Sequence, residues 1–511
     1  VSSDVGMNSS DSLAAIPTPI LTLAGGVTVF TFTPVQIGNQ TVAASVPGAF
    51  AIAASTSNAF CVVGSRLSIL AQGETPAPGA TGACGAPPCE GRNGTPDGVP
   101  GGGPDNFTAG VSFNLTVRLA DFWYFPLASG SPVTLRFFST DPYAQLPPDS
   151  TLDADGESTF TASLASATAA GSRIWVEPVG NPNIAVSTSS LLYVDPAGPA
   201  RILALARGMG LVKGSPSGTT GAAASTVAGR NYPLTLFITD AFYNQVTSIS
   251  PVLDLRPSDP NVLAVSTNAA SGLVTADLFF KTNTVVDPVG GPWSVGVSTA
   301  DGSNLSSFTV YGITVDPGPA YRFQVLVPTE TPKPGNLALA GKSTASATAQ
   351  YAGSTFSLTV NLVDQFYNRV LPGSNSTFKL KSDDPNHKLG TFGNFNTVNG
   401  QFITTHTYLV TQSTAAGWTV TASTATGDAV LPDESARFLV RPSTAAKLVI
   451  VMPGQARADG VGMSGNPNTQ IAGENIVLTV YAVDAGWNYV PVDQRNLRLR
   501  TFTDSFAPSS W

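Results

Sequence analysis

Residues 356–370 read FSLTVNLVDQFYNRV. Apolar and polar side chains alternate along the first half of this stretch, which then reaches an Asp, two aromatic residues and an Asn. Alternation with a period of two is typical of a β-strand with one buried face. Asp and Asn favour turns because their side chains hydrogen-bond to the nearby backbone. The stretch therefore predicts a strand that ends in a tight turn.

This pattern occurs three more times in the chain, in stretches that begin at Phe113, Tyr232 and Ile476. The turn aspartates are Asp121, Asp240, Asp364 and Asp484, so the spacings are 119, 124 and 120 residues. A repeat of about 120 residues has the length of a domain rather than of a hairpin. Each repeat contains several further strand-like stretches and no amphipathic helix pattern. Tandem antiparallel β-sandwich domains are therefore predicted.

The repeat divides the chain into three complete domains and two halves. The complete domains are 65–196, 197–317 and 318–442, named units 1, 2 and 3 below. Residues 1–64 resemble the second half of a unit, and residues 443–511 resemble the first half. Short linkers containing Pro join the units and restrict the backbone there, which predicts a rod-like array. A long Gly- and Pro-rich loop follows the first strand of each unit, and we expect it to form a lateral-contact or variable surface.

A second turn signal, Ser-Asp or Thr-Asp, fixes the phase of the two ends. It occurs at Asp11, Asp141, Asp259 and Asp504, and at Asp384 within Ser-Asp-Asp. The chain therefore starts and stops at the same point of the repeat, with half a domain at each end. Two hypotheses remain open. The chain is a piece of a longer repetitive polypeptide, or the C-terminal half of one copy is completed by the N-terminal half of the next, which gives a head-to-tail filament.

Composition excludes several classes of function. Hydrophobic residues make up 42% of the chain, which is enough for packed cores, whereas charged residues make up only 11% and the net charge is −8. An acidic chain without a basic patch argues against nucleic acid and against an anionic membrane surface as partners. No run of about 18 apolar residues is present, so no membrane span is predicted. A composition rich in Ser, Thr and Gly and poor in Lys favours an extracellular or cell-surface location.

The repeated residues resemble a known kind of domain. The pattern in unit 3 consists of Ala352, Gly353, Phe356, Leu358, Val360, Asp364, Asn368 and Val370, followed by Ser-Asp-Asp-Pro at 382–385. It resembles the bacterial immunoglobulin-like domains that form the stalks of invasin- and intimin-type adhesins and of repetitive surface fibres. The resemblance implies an all-β array of immunoglobulin-like sandwiches with a spacer or display role. One copy departs from the pattern, because Phe125 stands where the other turns have Asn244, Asn368 and Asn488.

The Asp and Asn of each turn allow two interpretations. The pairs are Asp240 with Asn244, Asp364 with Asn368, and Asp484 with Asn488. Calcium is one possibility, since it prefers oxygen ligands, but it takes six to eight of them and each turn offers two side chains. The alternative is an Asx-turn, in which the side chains bind the backbone. No other cofactor is predicted.

The aromatic residues of the turns are candidates for contacts. They are Trp123, Tyr124, Phe242, Tyr243, Phe366, Tyr367 and Trp487. Exposed aromatic residues mark interfaces, so these rings could contact a neighbouring subunit or stack on a glycan. The alternative is that a ring closes the end of a sandwich or the joint to the next domain.

No catalytic machinery is visible. The chain has two histidines, His387 and His406, and neither accompanies a nucleophile motif or a metal-binding motif, so we expect no enzymatic activity. Cys84 and Cys89 flank the loop CGAPPC and could form a disulfide.

Two functions remain. The first is an extracellular structural repeat protein that self-associates into a stalk, fibre or filament. The alternative is an adhesin module that binds a glycan or a partner protein through the aromatic turns and the long loop at 72–109.

Overall fold

The structure is a computed structural model of the 511-residue chain. It describes residues 4–10, 21–32, 34, 38–46, 53–62, 65–83, 87–98, 105–128, 132–286, 290–371, 377–384, 387, 391–394, 400–408, 410, 417–491, 496–500 and 503. In these residues the one helical element is a 3-10 turn at Ala270–Gly272. The all-β prediction is confirmed, since 44% of the residues are in strands and 1% are helical. Asp11 and Asp504, the outermost predicted turn residues, lie outside the described residues.

Strands are numbered in chain order. In the N-terminal segment they are β1 (Asp4–Ser9), β2 (Leu21–Thr22), β3 (Gly38–Gln40), β4 (Val42–Ser45), β5 (Ser55–Thr56) and β6 (Phe60–Val62). They form a four-stranded sheet in the order β2-β1-β4-β5 and a separate pair of β3 with β6. Val27 and Val29, in the connection after β2, are 67% and 80% exposed. Apolar side chains of this segment therefore remain uncovered.

Unit 1 is a sandwich of two four-stranded sheets. Its strands are β7 (Ser65–Ala71), β8 (Thr75–Pro76), β9 (Arg92–Asn93), β10 (Phe107–Thr108), β11 (Phe113–Ala120), β12 (Thr134–Ser139), β13 (Ser150–Thr151), β14 (Glu157–Ala162), β15 (Ile174–Pro178), β16 (Ile184–Ala185), β17 (Ser187–Thr188) and β18 (Val194–Asp195). The sheets have the orders β14-β11-β7-β16 and β13-β12-β15-β17. A short parallel pair, β10 with β18, lies just before the linker.

Unit 2 repeats this plan. Its strands are β19 (Arg201–Ala206), β20 (Met209–Leu211), β21 (Thr219–Gly221), β22 (Thr226–Val227), β23 (Tyr232–Thr239), β24 (Val252–Pro257), β25 (Val265–Asn268), β26 (Leu273–Leu278), β27 (Trp293–Thr299), β28 (Phe308–Ile313) and β29 (Val315–Asp316). The two sheets are β19-β23-β26 and β25-β24-β27-β28, and β22 pairs in parallel with β29.

Unit 3 and the C-terminal segment continue the series. Unit 3 contains β30 (Arg322–Leu326), β31 (Gln350–Tyr351), β32 (Thr355–Val363), β33 (Thr377–Ser382), β34 (Thr391–Asn394), β35 (Gln401–Thr407), β36 (Val420–Thr426), β37 (Asp433–Glu434) and β38 (Val440–Arg441). The sheets are β30-β32-β35 and β34-β33-β36-β37. The C-terminal segment contains β39 (Lys447–Val451), β40 (Ala456–Ala458), β41 (Gly462–Ser464) and β42 (Thr479–Val483).

A separate hydrophobic core lies between the two sheets of each unit. In unit 2, Leu236 from one sheet packs with Leu255 and Val297 from the other, and all three are at most 1% exposed. Full burial of a side chain of this size stabilises the fold by about 1.5–3 kcal/mol. The alternation in β11, β23 and β32 therefore has the predicted consequence that one face of each strand enters a core.

The C-terminal segment has the same strand pairing but an open inner face. β39 pairs with β42 so that Leu448 lies opposite Ala482, in the register that places Ile202 opposite Ile238 in unit 2. Ile202 and Ala204 are 0% exposed in the core of unit 2. Their counterparts Leu448 and Ile450 are 53% and 40% exposed.

In the part of the chain that the structure describes, no helix is long and apolar enough to cross a membrane. Cys89 forms a disulfide bond. Its predicted partner, Cys84, lies outside the described residues.

Candidate functional site at the joints between units

All four turns that follow the central strand share one backbone geometry. The first carboxylate oxygen of the Asp accepts two backbone N–H groups, those of the second and fourth residues after it. For Asp364 the donors are Phe366 at 2.8 Å and Asn368 at 2.9 Å, and Asp121, Asp240 and Asp484 repeat both bonds. The Asx-turn geometry predicted from the sequence is therefore present in each copy.

The third residue after each Asp is aromatic and lies in the left-handed backbone region. Tyr124, Tyr243, Tyr367 and Trp487 have φ values of 66°, 60°, 62° and 69°. A bulky residue rarely adopts this conformation, which costs on the order of 1–3 kcal/mol and needs support from its surroundings. The two hydrogen bonds to the Asp provide part of that support.

A cation and a glycine of the same unit hold the ring of this residue. The cation is the first or second residue of the first long strand. The distances to the ring centroid are 4.7 Å for Arg66, 4.7 Å for Arg201, 4.9 Å for Arg322 and 4.0 Å for Lys447. The glycine belongs to the long loop. A Cβ added to Gly218 would lie 2.3 Å from the ring of Tyr243, and a Cβ added to Gly341 would lie 2.4 Å from the ring of Tyr367. The ring therefore fixes the long loop against the turn.

The second carboxylate oxygen of the Asp binds the linker. Asp240 accepts the backbone N–H of Ala197 at 3.0 Å, and Asp364 accepts that of Gly318 at 2.7 Å. Asp484 accepts that of Ser443 at 3.1 Å. Each donor is the residue directly after the linker proline, so the turn sets the path of the chain between two units.

The turn Asn reaches across the joint to the preceding unit. Asn244 accepts the N–H of Ala167 at 2.8 Å and donates to the carbonyl of Ala165 at 2.7 Å, both of which belong to unit 1. In the next joint, Asn368 accepts the N–H of Asn283 at 2.9 Å and donates to the carbonyl of Lys281 at 2.8 Å. Asn244 and Asn368 are 0% exposed, so these bonds are shielded from water.

The second turn aspartate of the preceding unit holds the loop to which the Asn binds. Asp141 accepts the N–H groups of Ala165 and Ser166 at 2.7 and 2.9 Å. In unit 2, Asp259 accepts those of Lys281 and Thr282 at 2.9 and 3.0 Å. The two repeated turn signals, one from each unit, therefore meet at the joint.

The second residue after the Asp inserts its ring into the same joint. Phe242 packs against the core of unit 1, and Phe366 packs against the core of unit 2. Each ring lies over a glycine of the preceding unit. A Cβ added to Gly110 would lie 2.1 Å from the ring of Phe242, and a Cβ added to Gly229 would lie 2.3 Å from the ring of Phe366. Gly110 and Gly229 both have positive φ, 76° and 79°, and hold the backbone close to the ring.

Two copies of the turn lack one part each. The turn of unit 1 has an aromatic residue at the inserting position, Trp123, but Phe125 in place of the Asn. The turn of the C-terminal segment keeps Asn488 but has Gly486 at the inserting position. Accordingly, Gly353, the counterpart of Gly110 in unit 3, has no atom within 4 Å of an added Cβ.

The predicted calcium ligands are engaged in hydrogen bonds. Asp364 is 0% exposed and accepts bonds from the backbone of Phe366, Asn368 and Gly318 and from the Asn368 side chain. Burial raises the pKa of the Asp364 carboxyl, while its hydrogen bonds oppose the shift. A cation would have to displace these donors, so the arrangement favours the Asx-turn over the calcium site.

The predicted contact aromatics fall into three groups. Tyr243 and Tyr367 are buried within their own units and are not available to another chain, because the left-handed turn directs their rings onto the long loop. Phe242 and Phe366 lie in joints within the chain. Trp123 is 40% exposed, and Tyr124 and Trp487 are partly exposed.

Sequence reasoning missed two contributors, one to the turn and one to the joint. One is the cation of the first strand, which was visible as the recurring Arg or Lys at 66, 201, 322 and 447. The other is the long loop, which we expected to be a lateral surface. It reaches the joint instead, since Gly214 and Gly335 donate to the carbonyls of Phe242 and Phe366 at 2.7 and 2.8 Å.

No family profile matches the sequence, and no curated protein sequence matches it either. Several solved structures are weakly similar. Escherichia coli alpha-2-macroglobulin activated by porcine elastase has 11% identity and a TM-score of 0.23, with 90% of this chain and 43% of that chain covered. The FN1-FN3 domains of chicken CNTN1 have 9% identity and a TM-score of 0.22, with 64% of this chain and 94% of that chain covered.

Two further solved structures are also weakly similar. A protein described as membrane-anchored from Corynebacterium diphtheriae has 10% identity and a TM-score of 0.18, with 86% of this chain and 96% of that chain covered. A beta-glycosidase from Bacteroides vulgatus has 11% identity and a TM-score of 0.18, with 49% of this chain covered. The chain spans 25% of that glycosidase's length.

Proposed function

We propose that the protein is an extracellular structural repeat protein whose copies associate head to tail into a fibre. The observation that carries this proposal is the open inner face of the C-terminal segment. Leu448 and Ile450 are exposed there, whereas the residues in the same register of units 2 and 3 are fully buried. A groove of about 480 Å³ runs along this face and is lined by Leu448, Val480, Ala482 and Leu497 among others.

The occupant that we propose for this face is residues 1–64 of a second copy. In each complete unit the face is covered by strands from the second half of that unit, and residues 1–64 have the sequence pattern of a second half. Their exposed Val27 and Val29 supply apolar surface for such a contact. A contact between two different surfaces of the same chain adds subunits without limit and gives an open filament. The role is structural rather than catalytic in this proposal.

Sedimentation and electron microscopy of the 511-residue chain over a range of concentrations test the proposal. Fibres are expected, and their formation should be lost in Ile450→Asp, because a charge would be buried without a partner. Leu263→Asp is the matched control, since Leu263 is 84% exposed in unit 2 and lies away from the face. A chain that remains monomeric at all concentrations, or Ile450→Asp fibres equal to those of the unchanged chain, would contradict the proposal.

Ligand binding by unit 1 is the second candidate. The long loop and the residues just before β18 line a cleft of about 490 Å³, whose walls include Arg92, Asp105, Arg173 and Tyr193. Ligand pockets of this size combine aromatic side chains with a small number of placed polar groups. A glycan array with the intact chain separates the two functions, because binding that is lost in Tyr193→Ala but unaffected by Ile450→Asp would favour the adhesin.

A further inference from the structure

The two joints between complete units define a repeated docking contact. In each, the ring of the inserting residue covers a glycine of the preceding unit: Phe242 covers Gly110, and Phe366 covers Gly229. The loop glycine beside the ring also faces the preceding unit. An added Cβ on Gly214 would lie 2.3 Å from the hydroxyl of Ser166, and one on Gly335 would lie 2.4 Å from the hydroxyl of Thr282. The ring and the loop glycine together form a docking face.

Unit 1 has the same face, but the face is open. Gly79 donates to the carbonyl of Trp123 at 2.6 Å, as Gly214 does to Phe242 and Gly335 to Phe366. However, an added Cβ on Gly79 would meet no atom within 4 Å. The rings around it are exposed, Phe122 and Trp123 by 40% each and Phe125 by 53%. Three neighbouring exposed aromatic rings at one end of a unit indicate a surface that a protein partner covers.

The complementary half of the contact is present in the C-terminal segment. Gly473 occupies the position of Gly110 and Gly229, in the sequence IAG that matches TAG and VAG. Its φ is also positive, 90°, and no atom lies within 4 Å of an added Cβ. Gly353 is open for a different reason, because Gly486 replaces the ring in the turn that follows it along the chain. Gly473 therefore offers the open position that an inserting ring covers at Gly110 and Gly229.

We propose that the Trp123 turn of one copy docks on the Gly473 turn of a second copy, with the indole over the glycine as Phe242 lies over Gly110. This inference rests on the proposed function. If residues 1–64 of one copy complete the unit that begins at 443 in another, unit 1 of the first copy follows directly and brings Trp123 to Gly473. The two contacts are made by the same pair of copies, so each raises the effective concentration for the other.

The replacement of Asn by Phe125 fits this arrangement. In the two joints between complete units, the Asn binds a loop from the second half of the preceding unit. In the proposed joint that second half is residues 1–64 of the same copy. Phe125 adds apolar area to the Trp123 face and needs no buried polar partner, unlike an Asn at this position.

The test compares fibre assembly of four variants of the full chain. Trp123→Ala should raise the critical concentration for fibre formation about tenfold, as expected for an aromatic residue at the centre of an interface. Tyr311→Ala is its control, because Tyr311 is 72% exposed in unit 2. Gly473→Leu should have an effect like that of Trp123→Ala, and Gly353→Leu, with a similar φ and equally open space, should leave the critical concentration unchanged.

Cross-linking of fibres grown from mixed isotope-labelled and unlabelled copies identifies the contact directly. We expect cross-links between residues 122–125 of a labelled copy and residues 470–476 of an unlabelled copy, and the reverse pairing as well. An unchanged critical concentration in Trp123→Ala, or cross-links from 122–125 to any other region, would overturn this inference and leave the proposed function intact. If the unchanged chain forms no fibres, the proposed function and this inference both fail.

Discussion

Asn368 and Asn283 belong to different units and are joined by two hydrogen bonds, in which the side-chain oxygen of Asn368 accepts the backbone N–H of Asn283 at 2.9 Å and its side-chain N–H at 3.1 Å. Asn244 makes the equivalent backbone contact with Ala167. The turn at Asp121 forms without an Asn, so the Asn is not required for the turn itself. Its function is to connect consecutive units in a fixed arrangement.

Removal of this amide should loosen one joint at a time. In Asn244→Ala, the N–H of Ala167 loses its acceptor and should exchange with solvent at least about tenfold faster, since an unsatisfied buried donor costs about 1–3 kcal/mol. Native-state hydrogen exchange of the full chain measures this effect. Asn368→Ala is the matched variant. It should accelerate exchange of the Asn283 backbone N–H and leave exchange of the Ala167 N–H unchanged. Equal acceleration at both joints would indicate general destabilisation instead.

Two glycines of unit 3 separate backbone strain from steric clash. Gly353→Ala should cost about 1–2 kcal/mol, because φ is +81° but the space is open. Gly341→Ala should cost about 2–4 kcal/mol, because the new methyl would also overlap the Tyr367 side chain. Denaturant unfolding of unit 3, followed by hydrogen exchange in β32, gives both values. Equal costs would show that Tyr367 does not hold the loop.

Calcium should have no effect on stability. The oxygens of Asp240 and Asp364 are buried and accept four hydrogen bonds each, so binding would first remove these bonds. Thermal unfolding in millimolar CaCl₂ and in EDTA should give the same midpoint. Any ligand that binds the folded state raises the midpoint of thermal unfolding. A higher midpoint in calcium than in EDTA would therefore support the calcium site.

Acidification should weaken unit 3 through its two histidines. Burial lowers the pKa of His387 and of His406, and His387 packs against Tyr408 with ring centroids 4.2 Å apart. The histidines of the unfolded chain therefore take up protons first as the pH falls below about 6.5. The free energy of unfolding decreases in that range. Burial also raises the pKa values of three carboxyl groups, those of Asp364, Glu330 and Asp433, because it disfavours their charged forms. These groups take up protons first in the folded state, so their contribution to stability rises as the pH falls.

A double variant isolates the histidine contribution from that of the carboxylates. The protection factors of amides in β32 and β36, which correct hydrogen exchange for its intrinsic pH dependence, should fall less between pH 7 and pH 5.5 in His387→Gln/His406→Gln than in the unchanged chain. β23 of unit 2 serves as the internal reference, because unit 2 contains no histidine. An identical fall of the protection factors in both chains would contradict the histidine assignment.

Sequence alone identified the strands and turns because these depend on local chemistry. The alternation in FSLTVNLVD was sufficient to predict β32 and the core-facing side of Phe356, Leu358 and Val360. The Asp–Asn turn was predictable because its bonds lie within five residues. The contacts of the rings were not, since Phe366 and Tyr367 are adjacent in sequence yet pack against different units. That difference follows from the positive φ of Tyr367, which no propensity of Tyr would suggest.

The sequence by itself determined the period of the repeat, the all-β class and the residues of the turn, because hydrophobic alternation and Asx-turn chemistry are properties of neighbouring residues. Only the tertiary structure decided what the turn does. Asn368 reaches Lys281 and Asn283, more than eighty residues earlier, because the linker at Gly318 returns the chain to the end of unit 2. Partners brought together in this way depend on the packing of whole domains, which no local pattern encodes.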